Sequence, residues 1–291
     1  MEYFEIVDFL NSVDMSCLNF EDFRILGNAT SLSNYTGEQL EFYRGPLLYA
    51  LIRFLKPKQI LEFGTGGGYS TLCMAKSLSD NNIDGKIYTI DRVGNDEKIT
   101  RFYKLPNNKS IQKNKISNRE IWELIAKKTW IEKIIPIRGY SGVVMEKLSM
   151  KNIDFCYIDG VHTYDGAKHD FFSFLKISSK KFSIVFDDYI ERDFYGVKEF
   201  IDSEVAPHFN LKLIQSDPEN NLKQFVTTTN AYGMVYLKYD SEEPAINNYD
   251  KSYVDSFLKS YRTADLMIRS KRYELEKCLP FLKNIKFKFW R

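Results

Sequence analysis

This sequence has little of what marks a secreted, membrane-spanning or zinc-knuckle protein. Its four cysteines (Cys17, Cys73, Cys156, Cys278) lie far apart and form no C-x-x-C pair. Neither a disulfide framework nor a zinc knuckle is expected, and reduced thiols in a cytoplasmic protein fit better. No apolar run approaches the length that crosses a bilayer, so no membrane partner is expected. The start, MEYFEIVDFLNSVD, is acidic and lacks a basic segment ahead of an apolar one, so no signal peptide is expected. There is no internal repeat and no N-P-P-[FY] motif for a flipped base amine. A net charge of +2 over 291 residues is too small for a general nucleic-acid binder. What remains is ordinary globular material, 44% hydrophobic and 27% charged, long enough for one large domain with extensions or two small ones.

Residues 1–37 read as a short helical extension. From Gly37, GEQLEFYRGPLLYALIRFL has helical spacing and ends before Pro57. A regular alternation follows. Strands are predicted at Gln59–Phe63, Lys86–Asp91, Ile134–Ile137, Ile153–Asp159, Ser183–Asp187, Leu211–Gln215 and Gly233–Leu237. Helices are predicted at Ser70–Leu78, Arg119–Lys127, Ser141–Leu148, Tyr164–Ile177 and Tyr195–Val205. Repeated βα order implies an α/β fold, a mostly parallel sheet with helices on both faces. The last two strands have only the polar SDPENNLKQFVTTTNA between them, which implies an antiparallel pair at the sheet edge. The expected organisation is an extension at 1–37, a main domain at 38–240 and a helical tail at 241–291. Residues 95–118 interrupt the main domain. From Lys98 to Arg119 that insert carries seven basic residues and no acidic one, and it reads as a solvated, mobile loop or a lid.

After the first predicted strand of that domain, QILEFGTGGGYSTLCMA runs from strand through a glycine-rich turn into a helix. Such a turn lets backbone N–H groups and a helix N-terminus meet a ligand. The dinucleotide fingerprint G-x-G-x-x-G is broken because Tyr69 stands at its last glycine. Glu62, two residues before the first glycine, suits a cationic or zwitterionic ligand better than a pyrophosphate. The E-x-G-x-G-x-G pattern resembles motif I of class I methyltransferases that use S-adenosylmethionine (SAM). In that family the loop wraps the amino-acid part of the cofactor, and Asp91, ending the next strand, holds the ribose hydroxyls. The resemblance implies a Rossmann-like, seven-stranded, mostly parallel sheet with an antiparallel last strand. It also implies cofactor contacts from Glu62, Gly64, Thr65, Gly66, Gly68, Ser70, Asp91, Ser141 and Asp159. Where many relatives have Gly-Asp-Ser or Gly-Asp-Ala beside the adenine, this chain has Gly139-Tyr140-Ser141.

Ligands of parallel α/β sheets bind beyond the carboxyl ends of the strands. The predicted strands IDFCYIDG and FSIVFDD deliver Asp159, Asp187 and Asp188 to that edge. Clustered carboxylates repel one another unless a cation or a proton sits among them, and oxygen ligands select a hard cation such as Mg²⁺. The alternative is that the aspartates cap turns. The segment IDFCYIDGVHTYDGAKHDF, followed by FSIVFDDY, is similar to the D-G-x-H-x-Y … D-D pattern of a metal-dependent O-methyltransferase branch, the methyltransferase 24 or cephalosporin-hydroxylase-like group. The likeness spans roughly 38–239. It implies that Asp159, Asp187 and Asp188 bind a metal and that His162 is the general base. His169 and His208 have no such role, while Tyr164 either orders the loop or meets substrate. The expected enzyme transfers a methyl group to a hydroxyl of a small molecule or sugar. Apolar, aromatic chain ends suit a homodimer. An NAD-dependent oxidoreductase and a non-catalytic SAM-binding protein are the competing readings.

Overall fold

A computed structural model of the protein describes residues 1–5, 8–9, 18–32, 43–191, 193–215 and 233–278. Ten strands are described: β1 Glu2–Glu5, β2 Gln59–Phe63, β3 Lys86–Asp91, β4 Ile99–Tyr103, β5 Gln112–Ile116, β6 Ile134–Arg138, β7 Ile153–Ile158, β8 Ser178–Tyr189, β9 Leu211–Gln215 and β10 Gly233–Asp240. The described helices are α1 Phe20–Thr30, α2 Arg44–Leu55, α3 Tyr69–Asp80, α4 Asn118–Ile125, α5 Lys128–Ile131, α6 Ser141–Lys147, α7 Tyr164–Leu175, α8 Val197–Phe200 and α9 Lys251–Cys278. The main sheet runs β1-β9-β10-β8-β7-β2-β3-β6. Its pairings from β8 through β7, β2 and β3 to β6 are parallel, and β10 is antiparallel to both neighbours. The expected mixed α/β sheet is therefore present.

Alternation sorts the side chains between two apolar layers. Ile60, Phe155 and Tyr157 join Phe23, Leu48 and Leu72 on one face. Leu61, Phe63, Cys156 and Ile158 join Phe171, Phe172 and Phe174 of α7 on the other. Each of those phenylalanines is fully buried, a contribution of roughly 2–3 kcal/mol apiece. Local signals place the helix starts. Ser117 and Glu120 form a capping box at α4, and the Thr163 hydroxyl accepts the Gly166 N–H at α7.

Three expectations change. The N-terminal segment is not wholly helical: Glu2–Glu5 pairs in parallel with β9 as an eighth strand, closing an edge that would otherwise offer unpaired backbone groups. The antiparallel pair is present, but β10 lies inside the sheet between β8 and β9. The basic insert is a two-stranded ribbon, with Ile99–Tyr103 paired to Gln112–Ile116. It is anchored by the buried Tyr103 and by the Lys104 N–H, which donates to the Asn28 carbonyl at 2.9 Å. The expected helix from Gly37 begins at Arg44 among described residues; Cys17, the polar segment before β10 and the KNIKFKFWR end lie outside them. No helix of the described residues is long and apolar enough to cross a membrane.

Candidate active site

Strand order reverses between β2 and β7, and both glycine loop and acidic residues emerge there, at the carboxyl ends. Asp159, just past β7, donates its N–H to the Phe63 carbonyl at 2.9 Å, so backbone joins the two halves of the site.

The loop glycines have different surroundings. A Cβ on Gly64 would fall 1.9 Å from the Asp159 carbonyl, one on Gly67 1.8 Å from the Thr30 carbonyl, and one on Gly68 2.4 Å from the Trp122 ring. Only at Gly66, with φ of 55°, does a Cβ meet open space. Three glycines therefore allow packing, and the fourth leaves backbone approachable by a ligand. The Gly66 N–H donates to Asp91 Oδ2 at 2.9 Å. Its carbonyl accepts from Asn118 Nδ2 at 3.0 Å and Arg101 Nη2 at 3.3 Å.

Glu62 is 0% exposed and accepts 2.5 Å hydrogen bonds from the Ser70 and Thr71 hydroxyls. Burial raises its pKa to about 7, against the lowering by those hydroxyls. Glu62 and Ser70 thus brace the turn into α3. Thr65 shares a 2.5 Å hydrogen bond with Thr89. Asp91 Oδ1 also accepts from the Val93 N–H at 2.8 Å, and each carboxylate oxygen retains a lone pair. Thr65, Asp91 and Ile137 help line a small, partly open cavity. Ser141 opens α6 and is not among the residues lining that cavity.

On the acidic side, consecutive strand residues should point to opposite faces. A bulge alters this. Gly233 pairs with Tyr189 and Val235 with Phe186, so Asp187 and Asp188 together face the single residue Met234. Asp188 has a left-handed φ of 57°, uncommon outside glycine. Asp188 Oδ2 lies 2.9 Å from His162 Nε2, which is also 3.2 Å from Asp159 Oδ1. Asp187, 1% exposed, instead accepts from Arg44 Nη1 and from the Tyr157 hydroxyl, each at 2.6 Å. Arg44 Nη1 also reaches Asp159 Oδ2 at 2.6 Å. Arg44 was missed in the sequence. Its signal was an arginine opening a largely apolar helix, RGPLLYALIRFL.

The expected trio of Asp159, Asp187 and Asp188 is thus divided. Single ligand atoms of Asp159, His162 and Asp188 lie within 4.8 Å of one another, while Asp187 is engaged by Arg44 and Tyr157. Burial pushes the Asp187 pKa upward, against the charge of Arg44. Burial also opposes protonation of His162, but the bonds and charges of Asp188 and Asp159 outweigh it and push its pKa up to about 12. Three carboxylates facing Arg44 leave two negative charges when the imidazole is neutral. The Asp159 and Asp188 carboxylates, with the imidazole beside them, fit a divalent cation by donor chemistry, and that residual charge is what one would cancel.

Tyr164 has a structural place, its hydroxyl donating to Glu204 Oε1 at 2.9 Å. His169 is buried, bonded to Asp170 and stacked on Tyr261, and Asp170 is also buried. His208 packs on the Tyr249 ring.

Residues 61–189 match the family model of a methyltransferase domain. Over 157 residues, 54% of this chain, the sequence is 21% identical to the uncharacterized protein y4gI of Sinorhizobium fredii, and the match spans only 16% of that relative. Among solved structures, cofactor-bound Rv0187 from MTB shares the fold with a TM-score of 0.52 and 15% identity, over 81% of this chain and 97% of that one. The O-methyltransferase TomG from Streptomyces achromogenes, in complex with SAM, has a TM-score of 0.49 and 19% identity, over 81% and 97% of the two chains.

Proposed function

We propose that this chain, whose residues 61–189 match the model of a methyltransferase domain, transfers a methyl group from SAM to a hydroxyl of a small molecule or sugar, with a divalent cation. The observation that supports this best is adjacency. The Asp159–His162–Asp188 cluster shares backbone contacts with the glycine loop at the switch point of the sheet.

Bound SAM supplies a methyl group on a cationic sulfonium, and a bound cation makes the acceptor hydroxyl more acidic. The chain's own residues do the rest. Gly66 leaves backbone open to the cofactor, and Asp91 offers free lone pairs to its ribose hydroxyls. Asp159 and Asp188 would hold the cation, and Arg44 neutralises and fixes Asp187 behind them. With both carboxylates engaged in that way, His162 would lose the partners that hold its proton on Nε2, and that nitrogen would be the atom to accept the proton of the acceptor hydroxyl. Alignment supplies much of the remaining rate.

The NAD reading has less support, because Tyr69 is buried where the third glycine of the fingerprint would allow close packing. A test is methyl transfer from labelled SAM to a panel of hydroxylated small molecules and sugars. Transfer should stop on chelation and return with Mg²⁺. Transfer that survived chelation would reduce the acidic cluster to a structural role, and tighter binding of NAD than of SAM would overturn the whole assignment.

A further inference from the structure

The cavity beside Asp91 has a wall that no part of the motif supplies. Asn95 and Asn118, from the two ends of the basic insert, both line it. The Arg119 N–H donates to the Asn95 carbonyl at 3.0 Å, so the base of the ribbon brings Asn95 and Asn118 side by side. Asn118 is 2% exposed. Its amide is oriented by chemistry: Nδ2 donates to the Gly66 carbonyl, which only accepts, so Oδ1 must point elsewhere. Asn118 Oδ1 and Asn95 Oδ1 are both buried without a hydrogen-bond partner among the described residues. Such atoms are uncommon in a finished interior and cost about 1–3 kcal/mol each when unmet.

Two orphan acceptors call for two donors. Val93, Pro136 and Ile137 also line the cavity, apolar surfaces suited to a flat ring. Asp91, proposed above as the acceptor for the sugar hydroxyls, lines the same cavity. We propose that the insert reads the base of the cofactor, with Asn95 Oδ1 and Asn118 Oδ1 accepting the two N–H bonds of a purine exocyclic amine. Arg101 and Asn118 are at the same time positioning residues, holding the Gly66 carbonyl so that the glycine loop and the insert close on one nucleoside. The basic ribbon is then part of the cofactor site and not a solvated loop. This inference rests on the proposed use of SAM.

The test is calorimetry on the full chain with two probes, S-adenosylhomocysteine and S-inosylhomocysteine, in which a carbonyl oxygen replaces the amine. The wild type should bind the inosyl probe at least about tenfold more weakly, because acceptor then faces acceptor. In Asn95→Ala that ratio should shrink severalfold, and likewise in Asn118→Leu. Asn95→Ala keeps the Gly66 contact intact, so its result stands even where Asn118→Leu disturbs the loop. Equal affinity of the wild type for both probes, or a ratio unchanged in Asn95→Ala, would overturn the inference and leave the proposed function standing. No binding of S-adenosylhomocysteine by the wild type would overturn both.

Discussion

The glycine loop and the acidic cluster touch at Gly64 and Asp159, yet opposite means stabilise them. In the loop, polar groups are matched within the protein: the Gly66 N–H by Asp91, the Gly66 carbonyl by Asn118 and Arg101, and Glu62 by two hydroxyls. Its carboxylate is buried with no cation against it and takes up a proton more readily for that reason. In the cluster, three carboxylates converge, one of them from a left-handed residue beside a bulge. Their charge is met only in part, by Arg44 and a protonated His162. The loop is a scaffold with one open face. The cluster holds repulsion and strain that the proposed cation would relieve, which is the usual condition of a working site.

His162→Ala should sharpen that contrast most. If the loop binds and the cluster reacts, the variant keeps its affinity for S-adenosylhomocysteine and loses about 10²–10⁴-fold in methyl-transfer rate. An unchanged rate would remove His162 as the base. Arg44→Leu comes next, because it removes the guanidinium that Asp159 and the buried Asp187 share. A loss of about 3 kcal/mol in unfolding free energy is expected at neutral pH. The loss should shrink as pH falls and Asp187 takes a proton, and a pH-independent loss would show that Arg44 matters by packing alone.

Glu62→Gln tests the loop side. The folded-state pKa of Glu62 is raised from 4.5 to about 7 by burial. Its contribution to stability is therefore fully present below about pH 4.5 and lost as pH rises through 7. Chemical denaturation of the wild type and the variant at pH 4 and pH 8 should show their difference moving by on the order of 3 kcal/mol in favour of the variant. A difference that did not move with pH would mean that Glu62 stays ionised among its hydroxyls.

Much of the architecture was legible because local physics wrote it into short stretches. Gln59–Phe63, Lys86–Asp91 and Leu211–Gln215 could be bounded from apolar runs and their flanking breakers, since a buried parallel strand is a short apolar run. The ribbon in the insert was not legible. Its strands, ITRFY and QKNKI, carry too little alternation to announce themselves, and they are held by Tyr103 and by backbone bonds to α1. The split of Asp187 from Asp188 was hidden for a similar reason. A bulge is a relation between two strands, and Met234, the residue that faces both aspartates, lies far along the chain.

The sequence by itself determined the βα order, the glycine turn and the delivery of Asp91, Asp159, Asp187 and Asp188 to one edge of the sheet, because hydrophobic period and turn chemistry act over a few residues. Only the tertiary structure decided how each charged or polar group is partnered. It set Arg44 against Asp159 and Asp187, His162 against Asp159 and Asp188, and Asn95 and Asn118 at the wall of a cavity. Those pairings depend on distance in space, and electrostatics and hydrogen bonding take no account of the length of chain between the groups.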